Sequence, residues 1–122
     1  MMAWLRTSPP PVTRDLAEAR HTLAPEVEEA FRAFSQKVFA DGALPAKTKQ
    51  LIAVAVAHVT QCPYCIKGHT KAAHKLGATP EEIMEAIWVA AEMRAGAAWA
   101  HSTLALAELG VGKIAEDATG PD

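Results

Sequence analysis

Four prolines, at positions 25, 45, 63 and 80, punctuate this chain, and each falls where a helix can open. Proline lacks an N–H and fixes φ near −65°, so it is excluded from helix interiors but suits the first turn. Between these points apolar residues recur at helical spacing, and no convincing run alternates with period two. The expectation is an all-α fold.

Pro25 is followed by Glu26, Glu28 and Glu29, which suit the positive end of a helix. Val27, Ala30, Phe31, Phe34 and Val38 then form one apolar stripe, stopped by Asp41-Gly42. The helix opened by Pro45 runs to about Thr60 and is apolar on nearly every side after Leu51, which predicts burial all round. In so small a domain, part of that burial is expected from a second subunit. A third helix starts at Cys62-Pro63 and ends near Gly77, a natural C-cap. Thr79, Pro80 and Glu82 make an N-cap, a first helical position and a capping box. The following helix extends towards Leu109, with Gly96 a candidate break and Gly110 and Gly112 as stops. Alanine abounds from Ala86 to Ala107, which lets helix axes approach closely within or between chains. The domain reading is an irregular arm over residues 1–22, a helical domain over 23–110 and a disordered tail over 111–122. Pro9, Pro10 and Pro11 motivate the arm, whose Trp4 and Leu5 could pack onto the body or a neighbouring subunit.

The 122 residues are half apolar and 21% charged, a globular composition long enough for its own core. A net charge of −2 without a basic run argues against nucleic acid as a partner. The most apolar run, Leu51 to Val59, is too short to span a bilayer, so no membrane role is expected. The N-terminal residues lack the apolar core of a signal peptide, which predicts a cytoplasmic location. The 2 cysteines lie close together in sequence, and in a reducing compartment such a pair points to catalysis or metal binding.

Those cysteines lie in Gln61-Cys62-Pro63-Tyr64-Cys65-Ile66-Lys67-Gly68-His69. With Pro63 at the first helical position, Cys62 is the N-cap and Cys65 lies in the first turn. Both sulfurs then meet the positive end of the helix, which stabilises a thiolate. The spacing places both thiols on one face, with His69 one turn beyond Cys65 to accept or relay a proton. Proximity to the helix end alone favours Cys62 as the nucleophile. Zinc is an alternative, with Cys62, Cys65, His69 and His58 as ligands, although structural zinc usually draws on two separated pairs. Two inert buried thiols are another. His58 reads as a core histidine or a partner of the site, His101 as a packing residue, and His21 and His74 as surface residues. Arg94, in phase with Ile83 and Ile87, calls for an acidic partner such as Glu92 or a group from a neighbouring subunit. Trp88 and Trp99 read as core or interface anchors, and Glu81, Glu82 and Glu85 as helix-start charge. No phosphate loop or dinucleotide fingerprint is present.

The run from Lys47 to His58, followed by Cys62-Pro63-Tyr64-Cys65 and His69, resembles the alkylhydroperoxidase D–like core of the carboxymuconolactone decarboxylase family. The continuation Ala73 to Ala91, including Leu76-Gly77-Ala78-Thr79-Pro80-Glu81-Glu82-Ile83, extends the likeness to residues 25–110. The resemblance implies a helical bundle assembling as a homotrimer or homohexamer. It implies a thiol-dependent peroxidase or disulfide oxidoreductase with no cofactor and no metal. Cys65 would attack the hydroperoxide, Cys62 would resolve the product to a disulfide, and His69 would relay protons. A thiol reductant protein or a small dithiol would restore the pair. Two departures stand out. Gln50 occupies the place of the family's proton-relay glutamate, and an amide cannot take a proton as a carboxylate can. Either Gln50 orients its neighbour, or Glu85 or Glu92 substitutes, or peroxidase activity is weak. Tyr64 stands where the best-known peroxidases carry a histidine. A metal-binding or redox-sensing module without turnover, and a cysteine-independent decarboxylase-like lyase, are the alternatives.

Overall fold

The computed structural model describes residues 9–112. Five helices follow in order: α1 (Arg14–Leu23), α2 (Pro25–Phe39), α3 (Ala46–Thr60), α4 (Pro63–Lys75) and α5 (Pro80–Glu108). No strand occurs among the described residues, so the all-α expectation holds.

The arm expected over residues 1–22 is corrected in its second half, where Arg14–Leu23 is helical. Once the proline block ends, Thr13 accepts the Leu16 N–H on its side-chain oxygen, and Asp15 and Arg20 complement the helix dipole. Trp4, Leu5 and residues 113–122 of the expected tail lie outside the described residues. The candidate break at Gly96 is also corrected. Helix α5 runs unbroken through its 29 residues, because one glycine costs only about 1 kcal/mol against a helix this long.

The local signals at helix ends explain most boundaries. The Glu82 N–H donates to the Thr79 side chain, and the Thr79 N–H donates back to Glu82, completing the capping box. Glu82 also pairs with Lys47 at 3.0 Å, tying the start of α5 to the start of α3. The backbone N–H of Thr79, followed by Lys47, holds the Glu82 carboxyl below its ordinary range. Gly77, with φ +96°, closes α4: its N–H bonds to His74 O, and the Ala78 N–H bonds to Ala73 O. Helix α3 begins with a cap reached across a loop, where the Ala46 N–H donates to Asp41 Oδ1 at 2.7 Å.

Helices α4 and α5 both pack on α3. Val54 is 0% exposed and, with Ala73 and Ala78, forms a core flanked by Leu51, Ile83 and Ile87. Helices α1 and α2 form a hairpin whose Glu28 carboxylate faces Arg20 at 3.7 Å, His21 at 3.6 Å and Arg32 at 3.0 Å. This hairpin meets the rest of the body mainly at the end of α2.

Burial differs from the sequence expectation. Helix α3 is buried along one face, at Gln50, Val54 and Ala57, while Ile52, Val56 and Val59 are exposed. The α2 stripe is also uncovered, with Phe31 65% exposed. Trp88 and Trp99 are 67% and 81% exposed, so neither is a core anchor within one chain. Arg94 is not a buried ion pair: it is exposed and donates to Val59 O at 2.8 Å, a cationic cap on the last turn of α3. Among the described residues, no helix is long and apolar enough to cross a membrane.

The capping box yields a direct test. Thr79→Ala should lower unfolding stability by about 1 kcal/mol, read from the denaturant midpoint at unchanged slope.

Candidate active site

The site is built at the reversal between α3 and α4. Gln61 adopts a left-handed conformation (φ 57°, ψ 46°), and both its N–H and that of Cys62 return to Ala57 O. Such a conformation costs a non-glycine residue roughly 1–2 kcal/mol, and here it ends α3 and turns the chain directly into α4. Cys62 is the N-cap of α4, and Pro63 takes the first helical position. The Cys65 N–H donates to Cys62 Sγ at 3.2 Å, so a sulfur does the capping that an oxygen does elsewhere.

This geometry separates the two thiols electrostatically. The Cys65 thiol donates to Cys62, and that bond, followed by the Cys65 N–H, lowers the Cys62 pKa from its ordinary value. The same bond raises Cys65, reinforced by burial and by the charge on Cys62. Cys62 is therefore the first of the pair to ionise. Both thiols are half-buried and unlinked.

His69 stands one turn beyond Cys65. Its Nδ1 lies 2.8 Å from Oε1 of Gln50, a buried residue on α3. With an amide oxygen as partner, Nδ1 carries the proton and Nε2 is left as the acceptor of the ring. Phe39, at the end of α2, stacks on the imidazole with ring centroids 5.1 Å apart and planes at 27°. The ring is thus held from two sides.

Cys65 and His69 line a mostly apolar cavity of about 440 Å³, walled by Val38 and Phe39 of α2 and by Ile52 and Val56 of α3. Cys62 is not part of that wall. A larger hollow of about 710 Å³ lies along Val27, Glu28 and Phe31, away from the thiols; it is the uncovered face of the α1–α2 hairpin.

Three residues singled out in the sequence, Cys62, Cys65 and His69, are therefore brought together, and Gln50 joins them as the hydrogen-bond partner of His69. Glu85 and Glu92 do not substitute for it: both are exposed on α5, and neither lines the cavity. His58 turns its Nδ1 to Val54 O at 2.7 Å, so that ring nitrogen is satisfied by its own helix. Among the described residues, no three His, Cys, Asp or Glu side chains gather closely enough to hold a metal ion. His101 is exposed. Tyr64, between the cysteines, donates its hydroxyl to Pro10 O at 2.7 Å and ties the segment before α1 across α4. Phe39 was missed by sequence reasoning, because its contact with His69 depends on how α2 meets α3 and α4 rather than on any local pattern.

Comparison with known proteins agrees with this architecture. Residues 25–108 match the carboxymuconolactone decarboxylase family. The chain belongs to that family. It is 71% identical over 83 residues to uncharacterized protein 4 in the cox locus of Paracoccus denitrificans, covering 68% of this chain and 75% of that one. An uncharacterized protein from Cupriavidus necator is 36% identical over 83 residues, covering 68% and 74%. Among solved structures, a carboxymuconolactone decarboxylase family protein from Legionella pneumophila, in its apo form, superposes with a TM-score of 0.60 at 43% identity, covering 65% of this chain and 70% of that one. A protein from Methanobacterium thermoautotrophicum superposes with a TM-score of 0.65 at 36% identity, covering 68% and 93%. The family match spans α2 to α5, the helices that carry the cysteines, His69, Gln50 and Phe39.

The thiol electrostatics carry a prediction. Alkylation by iodoacetamide, mapped by mass spectrometry, should modify Cys62 at lower pH than Cys65, because only the thiolate reacts and Cys62 has the depressed pKa. Cys65→Ala removes the largest cause of that depression, so the Cys62 alkylation profile should move to higher pH.

Proposed function

We propose that this protein is a thiol-dependent peroxidase and disulfide oxidoreductase in which Cys65 attacks, Cys62 resolves and His69 relays protons. The observation that carries this reading is the shared cavity: Cys65 and His69 both line it, and the Cys62 sulfur is hydrogen-bonded to Cys65 from outside its wall.

In the first step the Cys65 thiol gives its proton to Nε2 of His69, and the thiolate attacks the terminal oxygen of a hydroperoxide. The O–O bond breaks, Cys65 becomes a sulfenic acid, and the leaving alkoxide takes the proton from His69 to depart as an alcohol. The Cys62 thiolate then attacks the Cys65 sulfur, forming the disulfide and releasing hydroxide, which is protonated to water. An external dithiol reduces the disulfide and is itself oxidised. The raised pKa of Cys65 makes a base necessary, and His69 supplies it. Gln50 fixes the tautomer that leaves Nε2 basic, but it cannot accept a proton from the imidazolium.

A second reading rests on the depressed pKa of Cys62, which suits it to attack a disulfide directly. One experiment separates the two. In reduced Cys62→Ser protein, a stoichiometric pulse of an alkyl hydroperoxide should give a sulfenic acid at Cys65 that dimedone traps, whereas Cys65→Ser should lose peroxide consumption. Dimedone labelling of Cys62 in Cys65→Ser, with none at Cys65 in Cys62→Ser, would reverse the roles. Gln50→Glu should raise peroxidase kcat by about tenfold or more, since a carboxylate opens a route for the proton that Gln50 cannot carry. An unchanged kcat would remove Gln50 from the proton path.

Self-association completes the proposal. The uncovered α2 stripe, with Trp88 and Trp99, leaves far more apolar surface exposed than a monomer normally tolerates. A homotrimer or homohexamer would cover it, and sedimentation equilibrium should return a mass of three or six chains. A monomer at micromolar concentration contradicts it.

A further inference from the structure

The cavity beside Cys65 is mostly apolar, yet Lys49, from the first turn of α3, is one of the residues that line it. Lys49 Nζ donates to Ala40 O at 2.7 Å, which engages one of its three N–H donors and ties the end of α2 to α3. Lys47, two residues earlier, is paired with Glu82. Lys49 itself has no carboxylate within 4.0 Å among the described residues. A cation beside an apolar cavity and without an acidic partner has donors to offer a ligand anion, and such a charge-assisted contact is stronger than a neutral one. Cavities of this kind take their binding energy from apolar contact and their orientation from a few polar groups. Lys49 immediately precedes Gln50, the partner of His69, in α3.

We propose that Lys49 binds a carboxylate, and that the substrate is an amphipathic organic acid bearing the hydroperoxide on its apolar part. The carboxylate docks at Lys49, the chain lies along Phe39, Ile52 and Val56, and the peroxide reaches Cys65. The proposal deepens the peroxidase reading and rests on it for the identity of the reacting group, whereas the anion contact stands on the cavity alone.

The test is therefore split. Octanoate and methyl octanoate, neither of which can react, are titrated calorimetrically into the reduced wild-type protein, Lys49→Gln and Lys49→Arg. Gln keeps an N–H donor for Ala40 O but no charge, and Arg keeps the charge. Octanoate should bind at least about tenfold more tightly than its ester to wild type. Lys49→Gln should erase that preference, and Lys49→Arg should keep most of it. Equal affinity for acid and ester in wild type, an unchanged preference in Lys49→Gln, or no octanoate binding at all overturns the proposal. In turnover, a hydroperoxide of a straight-chain acid should show a KM at least about tenfold below that of its methyl ester, and Lys49→Gln should remove the difference. If neither hydroperoxide is consumed while octanoate binding depends on Lys49, the peroxidase reading fails and the anion site stands.

Discussion

The reversal at Gln61 and Cys62 is the constraint on which the rest of the site depends. Two residues separate the last turn of α3 from the first turn of α4. That short link forces the two helices side by side, so Gln50 and His69, nineteen positions apart, meet at 2.8 Å. The same link leaves Cys62 at the N-cap, where its sulfur collects the Cys65 N–H. A left-handed residue that is not glycine is an expense the fold carries at this point, and the N–H groups of Gln61 and Cys62, both bonded to Ala57 O, hold it.

The cysteine pair shows how one hydrogen bond can divide two chemically identical groups. Cys65 donates and Cys62 accepts, so one thiol is pushed up and the other down. The more acidic sulfur is the one outside the cavity wall; the less acidic sulfur is the one beside His69. This is the arrangement that a two-step cycle wants. In the proposed cycle a lowered pKa equips Cys62 to attack a neighbouring sulfur without a base of its own, whereas Cys65 is to become a nucleophile with the help of His69. The imidazole is in turn held by an amide and an aromatic ring, neither of which can take its proton.

Burial sets the boundary of what a single chain can be. The core reduces to a few side chains around Val54, while the stripes on α2 and α5 face outward. Apolar surface of this extent is more than a monomer normally leaves uncovered. It also bears on the cavity, since Ile52 and Val56, which wall it, are themselves exposed.

The sequence by itself determined helices α2 to α5, though not α1, and the segment that carries the cysteine pair. Prolines at helix starts, the Thr79 capping box and Gly77 are local signals, and local signals survive translation into structure because they act within one turn. The phase of Cys62, Cys65 and His69 was legible for the same reason. What required the tertiary structure was everything that depends on one helix meeting another. The stacking of Phe39 on His69, the acceptor that Gln50 presents, the exclusion of Glu85 and Glu92, and the place of Lys49 in the cavity wall all follow from the approach of α2, α3 and α4. Arg94 was misread because helical phase says which residues share a face but not what that face meets. The cysteines themselves were visible from the outset; which of them is acidic was decided by the hydrogen bond from the Cys65 thiol to Cys62, helped by the Cys65 N–H, and which lines the cavity by the helices packed around them.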